Sequence, residues 1–208
     1  MSRELILGMS VSIDGFVAGP NGENDWMIPS MSEAGRQWVA EQLGRVGLIA
    51  MGRRAYESMA DFWPTASGPV AVPMNEIPKA VFSRSGAVSS PSMEKTLAAL
   101  ENEPKVEAAR EGWLNPIVGG EDLVADIQRL KAEDGGPINA LGGASFASSL
   151  IATGLVDEYR LVVHPVALGR GLPLFGGLES SLRLKLEEVE RFDSGVVAKT
   201  YRPLQTPK

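Results

Sequence analysis

The chain has no cysteine and a single histidine among its 208 residues. Disulfides and thiolate nucleophiles are therefore excluded, and the Cys/His ligand sets of zinc sites are out of reach. Cysteine-free composition fits a reducing compartment. A basic stripe is also missing: 20 Lys and Arg against 26 Asp and Glu give a net charge of −6, spread along the chain. That argues against a general nucleic-acid binder. No apolar run approaches the ~18 residues of a membrane span. The opening "MSRELILGMSVSIDGF" is cut short by Asp14 and Gly15, without the long apolar centre or cleavage site of a signal peptide. The expectation is a soluble cytoplasmic protein without a membrane or nucleic-acid partner. With 44% hydrophobic residues it is long enough for one globular domain with a sizeable core.

What is present is an alternation of short apolar runs with helical patterns, and no internal repeat. "ELILGMSV", "VGLIAM" (46–51), "AVFS" (80–83), "PINAL" (137–141) and "EYRLVVHP" (158–165) read as buried strands. Residues 14–25, rich in glycine, read as one long loop. Ser30 and Ser32 are candidate caps for a helix carrying Trp38, Val39, Leu43 and Val46. Leu123, Ile127 and Leu130 mark a second helix, acidic at its start and closed by Gly135 and Gly136. Phe146, Leu150 and Ile151 mark a third, stopped at Gly154. "LRLKLE" and "GVVAKTY", joined by a turn at Ser194-Gly195, predict a hairpin with one solvated face. The pattern predicts an α/β fold: a mostly parallel, twisted central sheet flanked by helices, with an antiparallel hairpin at its C-terminal edge.

In such sheets ligands sit beyond the carboxyl ends of the strands. Three loops there suit an anion. "MGRRAYES" (51–58) follows a strand with Gly52, Arg53 and Arg54, and a helix is expected to start near Ala55. Guanidinium groups bind phosphate oxygens bidentately. "FSRS" (82–85) offers Ser83, Arg84 and Ser85. "LGGASF" places Leu141, Gly142, Gly143, Ala144 and Ser145 between a strand and a helix, where bare backbone approaches a ligand closely and amides hold an anion. Each alone has a bland reading: solvated arginines, a turn, or close helix–strand packing. Together they suggest a long, multiply phosphorylated ligand along the sheet edge, such as NADPH.

The chain resembles the dihydrofolate reductase-like superfamily. Within it, it is similar to stand-alone relatives of the reductase domain of riboflavin-biosynthesis deaminase-reductases, the RibD C-terminal domain family. The residues carrying the resemblance are "SVSIDGFVAG" (10–19), "MGRRAYES", "FSRS" and "LGGASFASSLIATGLVDEYRLVVHPVALGRGLPLF" (141–175). The resemblance implies a dihydrofolate reductase-like fold and an NADPH-dependent reductase of a small heterocycle. It further implies that Arg53, Arg54, Ser83 and Arg84 hold the adenosine 2′-phosphate end, that the 141–145 loop holds the pyrophosphate, and that Val17 and Ala18 lie against the nicotinamide.

On the acceptor side the chain departs from its relatives. Where dihydrofolate reductases carry a pterin-binding carboxylate, Met31 stands here, with Glu33 two residues on. Where riboflavin-pathway reductases carry Lys or Arg after the Asp-Gly pair, Phe16 stands here. Pterin reduction and a catalytically silent nucleotide-binding module are the alternatives to a riboflavin-type reductase. Asp14 is the candidate acid, or else the cap of the turn at Gly15. Asp25 and Trp26 match the family's substrate loop, or else mark a helix entry and a core aromatic. His164, before Pro165 at a strand end, reads as structural or as an interface residue rather than as catalytic. Asp157 and Glu158 read as a strand start rather than a metal pair, and no metal is expected. Residues 1–204 are expected to form one domain, with 205–208 as a tail and an inserted helical segment at 87–110, where Met93, Leu97 and Leu100 fall at helical spacing. A homodimer is expected through "VVHPVALG" and the C-terminal hairpin.

Overall fold

A computed structural model describes residues 2–86, 88 and 112–204. Its strands are β1 (Leu5–Ser12), β2 (Phe16–Ala18), β3 (Leu48–Gly52), β4 (Lys79–Phe82), β5 (Ile117–Gly119), β6 (Ile138–Ala140), β7 (Glu158–His164), β8 (Leu172–Pro173), β9 (Leu184–Arg191) and β10 (Val197–Pro203). The helices are α1 (Glu33–Leu43), α2 (Arg53–Phe62), α3 (Ala71–Glu76), α4 (Leu123–Ala132) and α5 (Ala144–Ala152). Eight strands form one sheet in the order β5-β4-β3-β6-β1-β7-β10-β9. The first six run parallel, while β10 and β9 are antiparallel.

The apolar runs are strands buried on both faces. In β3, Leu48 and Ala50 join the cluster with Ile127, Phe146 and Leu150 of α4 and α5. Ile49 and Met51 point the other way, into the cluster with Tyr56, Ala60 and Met74 of α2 and α3. A period-2 backbone with apolar side chains on both faces needs a helical layer on each side. Near the antiparallel edge, Val162, Val196 and Ala198 close the core against Met31, Trp38 and Phe192.

Several expectations from sequence are corrected. The segment 14–25 is not all loop: Phe16–Ala18 pairs antiparallel with Leu172–Pro173 as a short ribbon. α2 starts at Arg53, directly after the strand, rather than near Ala55. Ser32 caps α1 by accepting from the Gly35 amide (3.2 Å), whereas Ser30 turns its hydroxyl to His164. β5, α3 and the 3-10 turn Asp25–Ser30 were not anticipated. Only β10 shows the hairpin's buried/exposed alternation; β9 is open to solvent along nearly its whole length. Glu187, Glu188 and Glu190 on that strand put negative charge along the sheet edge, which discourages edge-to-edge pairing. The helical reading of 87–110 lies outside the described residues, apart from Val88. Among the described residues, no helix is long and apolar enough to cross a membrane.

Candidate functional site

The parallel strands deliver their carboxyl ends to one edge of the sheet. β3 ends at Gly52, and α2 begins at the next residue. β6 ends at Ala140, and α5 begins at Ala144 after Gly142 and Gly143. Both glycines have left-handed backbones, with φ of 78° and 86°, a region costly for other residues. A Cβ on Gly52 would stand 2.9 Å from the Phe146 Cβ, and one on Gly142 would stand 2.9 Å from Met59 Cε. Glycine at both positions lets the two strand-to-helix turns touch.

The N-termini of α2 and α5 consequently lie side by side, and neither is capped by a side chain. Amides at helix starts carry the positive end of the macrodipole and favour anions. Arg53 and Arg54 occupy the first turn of α2, which contains no acidic residue. Cations there oppose the dipole, a placement that a bound anion would offset. Arg53 also pairs with Glu57 one turn on (3.1 Å), while Arg54 is exposed. Leu141 is held by its amide to the Ala50 carbonyl (2.9 Å), fixing the start of the glycine loop against β3.

Two clefts flank this cradle. One, of about 200 Å³, is lined by Ala144, Ser145, Ser148, Leu172, Pro173, Gly176 and Gly177. Behind its β8 wall, Val17 and Ala18 are buried within the β2 ribbon rather than open on the surface. The other cleft, of about 380 Å³, lies at the ends of β4 and β5 between Ser83, Gly86, Val118, Gly119, Gly120, Glu121 and Asp126. Ser83 is buried with its hydroxyl 3.0 Å from that of Ser85, and Arg84 beside it is exposed. The floor of this cleft was missed from sequence. Its signal is "VGGEDL", a second strand–Gly-Gly–helix passage like "LGGASF", hidden because β5 was not recognised. Asp126 closes that floor by accepting from the Gly120 amide (2.8 Å).

On the other side of the edge, the Asp14 carboxylate accepts from the Ser12 hydroxyl (2.5 Å), the Gly169 amide (2.7 Å) and the Leu168 amide (3.2 Å). These bonds, that from Ser12 foremost, hold its pKa below the ordinary carboxylate value. Asp14 therefore ties the "LGRG" loop to β1. Asp25 is exposed on the 3-10 turn, and Trp26 is half-buried. The Trp26 indole donates to the Glu23 carbonyl (3.2 Å) and meets His164 edge-on, with ring centroids 5.4 Å apart. Asp157 accepts from the Leu5 amide (2.7 Å) and from Lys131 (2.5 Å), while Glu158 pairs with Arg160 and Arg202.

The sequence profile described as RibD C-terminal domain matches residues 3–198. The chain belongs to the RibD C-terminal domain family. An uncharacterized Bacillus subtilis protein, YyaP, is 32% identical over 201 residues, covering 96% of this chain and 94% of that one. A Shewanella sp. PV-4 structure, provisionally named a riboflavin biosynthesis protein, superposes with a TM-score of 0.70 at 24% identity, covering 99% of this chain and 100% of that one. The fold is also that of a dihydrofolate reductase from Enterococcus faecalis, solved in complex with NADP(H) and RAB-propyl. That match has a TM-score of 0.59 at 13% identity, covering 98% of this chain and 99% of that one.

Proposed function

We propose that the protein is an NADP(H)-dependent reductase of a small heterocycle, of the kind its resemblance to the 5-amino-6-(5-phosphoribosylamino)uracil reductases of riboflavin biosynthesis implies. The observation that carries this reading is the paired-turn cradle: two helix N-termini without side-chain caps, brought together by Gly52 and by the left-handed Gly142 and Gly143, with Arg53 and Arg54 on the first turn of α2. Its donor set suits a pyrophosphate. The bound dinucleotide supplies a hydride, which the acceptor takes up together with one proton. The chain's own task is to place the acceptor and exclude water. The 141–145 loop holds the phosphates, and Ser83 and Arg84 reach the adenosine end. The β2–β8 ribbon, with Val17 and Ala18 in it, backs the reactive end. Asp14 anchors the loop beside the acceptor through the bonds it accepts from Leu168 and Gly169.

The segment from Asp14 to Asp25 carries the carboxylates Asp14, Glu23 and Asp25, the Arg170 guanidinium lies near Glu23, and Phe16 occupies the position where the resemblance puts a basic residue. The assay therefore compares phosphorylated pyrimidines with phosphate-free pyrimidines and pterins. NADPH binding is followed by nicotinamide fluorescence and turnover by NADPH oxidation, on the homodimer that light scattering is expected to find. Binding with no turnover on any acceptor moves the reading to a silent nucleotide-binding module. No binding of NADPH or NADH overturns it.

A further inference from the structure

His164 ends β7, opposite Ser12 of β1, at the strand edge that carries the candidate site. Its side chain is wholly buried. Its Nδ1 lies 2.8 Å from the Ser30 hydroxyl and its Nε2 3.2 Å from the Ser10 hydroxyl. Ser10 belongs to the central strand, whereas Ser30 closes the 3-10 turn bearing Asp25 and Trp26. That turn contains Pro29, buries none of its residues and has no side-chain cap. Its other hydrogen bonds are local: Trp26 to the Glu23 carbonyl, Met27 to Asn24, and the Ser30 hydroxyl to the Met27 carbonyl (3.2 Å). The Ser30–His164 bond is the one hydrogen bond joining this turn to the sheet among the described residues.

We infer that His164 is a positioning residue: through Ser30, and through its ring edge against Trp26, it holds the Asp25–Ser30 turn as the wall of the acceptor site. The inference rests on the reading of that side as the acceptor site. The hydrogen bonds also fix which nitrogen carries the proton. Ser30 has one O–H. If it donates to the Met27 carbonyl, its oxygen accepts from Nδ1–H, and Nε2 is left to accept from Ser10. Of the two neutral tautomers, only Nδ1–H satisfies all three contacts. Burial, which lowers the His164 pKa, favours the neutral ring.

The chain's one histidine makes this directly readable. A long-range proton–nitrogen NMR spectrum of the full-length protein is expected to show one neutral imidazole protonated at Nδ1; an Nε2–H ring overturns the assignment. Ser30→Ala removes the tether from outside the core. It is expected to speed amide exchange of residues 25–30 and raise the acceptor KM about five-fold, the loss of a single hydrogen bond, with kcat and NADPH affinity little changed. His164→Asn, whose amide reaches the Nδ1 position, is expected to preserve both readouts. His164→Gln, whose amide reaches the Nε2 position, is expected to lose them. Unchanged exchange and KM in Ser30→Ala, or equal behaviour of Asn and Gln, overturns the inference. Should no acceptor be reduced by the unmodified protein, the proposed function fails, while tautomer and exchange still decide the tether.

Discussion

Gly142 rests on Ala55. A Cβ built on the glycine stands 3.1 Å from the alanine's own Cβ, so the loop after β6 lies against the first turn of α2. Gly142→Ala adds a left-handed residue, which costs about 1–2 kcal/mol, and a contact that pushes the two turns apart. The expected outcome is a lower Tm together with weaker NADPH binding. Gly154→Ala is the control: its φ is 70°, but open space surrounds its Cβ. It should lower Tm while leaving NADPH affinity intact. Equal effects of the two substitutions on binding would separate the Gly142 turn from the cofactor.

Arg53 shares the first turn of α2 with Arg54 and leans on Glu57 at 3.1 Å. Losing a hydrogen bond to a charged group typically costs ~1.5–3 kcal/mol. Arg53→Ala is therefore expected to weaken NADPH at least about ten-fold and NADH much less. Fluorescence titrations with both cofactors check this. Equal losses would place Arg53 away from the 2′-phosphate.

The parallel half of this fold is legible because its strands are doubly buried. Runs such as Leu48–Gly52 have one reading when they are short, apolar and bounded by glycine. The turn after β6 is legible for a related reason, since its paired glycines stand between an apolar run and a helical pattern. What escaped notice depended on partners distant in sequence. β2 is a strand only because Leu172–Pro173 lies beside it. β5 is three residues long, with Ile117 and Val118 exposed, so it carries no alternating signal. Ser30 looks like a helix cap until His164, 134 positions away, claims its hydroxyl. Asp14 looked as much like an acid as a turn residue. The amides of Leu168 and Gly169 give it a further, anchoring role, and no local pattern announces them.

Asp14→Asn tests that anchoring role. The carboxylate accepts bonds from three donors and is held ionised well below neutral pH. Asparagine keeps one acceptor oxygen, so the 165–171 loop should loosen in part, and Asp14→Ala should loosen it further. The acceptor KM is expected to rise in that order. The pH profile of kcat above about pH 5 should keep its shape, because a group already ionised there contributes no titration. Disappearance of an acid-dependent limb in Asp14→Asn would restore Asp14 as proton donor.

Lys79 should set the pH dependence of stability. It opens β4 and is only 1% exposed. Its ammonium group donates to the Ile77 carbonyl and lies 4.4 Å from the centroid of the Trp113 ring. Neither contact restores the lost hydration, and burial lowers its pKa from 10.5 to about 7. Between those values the folded protein has released a proton that the unfolded chain still holds, so stability rises with pH across the window and is flat with respect to this group below it. Tyr56 and Tyr159 act in the opposite sense. Burial raises both to about 12, so the unfolded chain ionises them first and stability falls above their ordinary value of 10.0. The combined expectation is a stability maximum near pH 9–10, measured by denaturant unfolding at a series of pH values. Lys79→Met should abolish the rise above pH 7 and leave the fall above pH 10. A wild-type curve flat from pH 7 to 9, or a rise that survives in Lys79→Met, would mean that the amine is not buried in the folded protein as described.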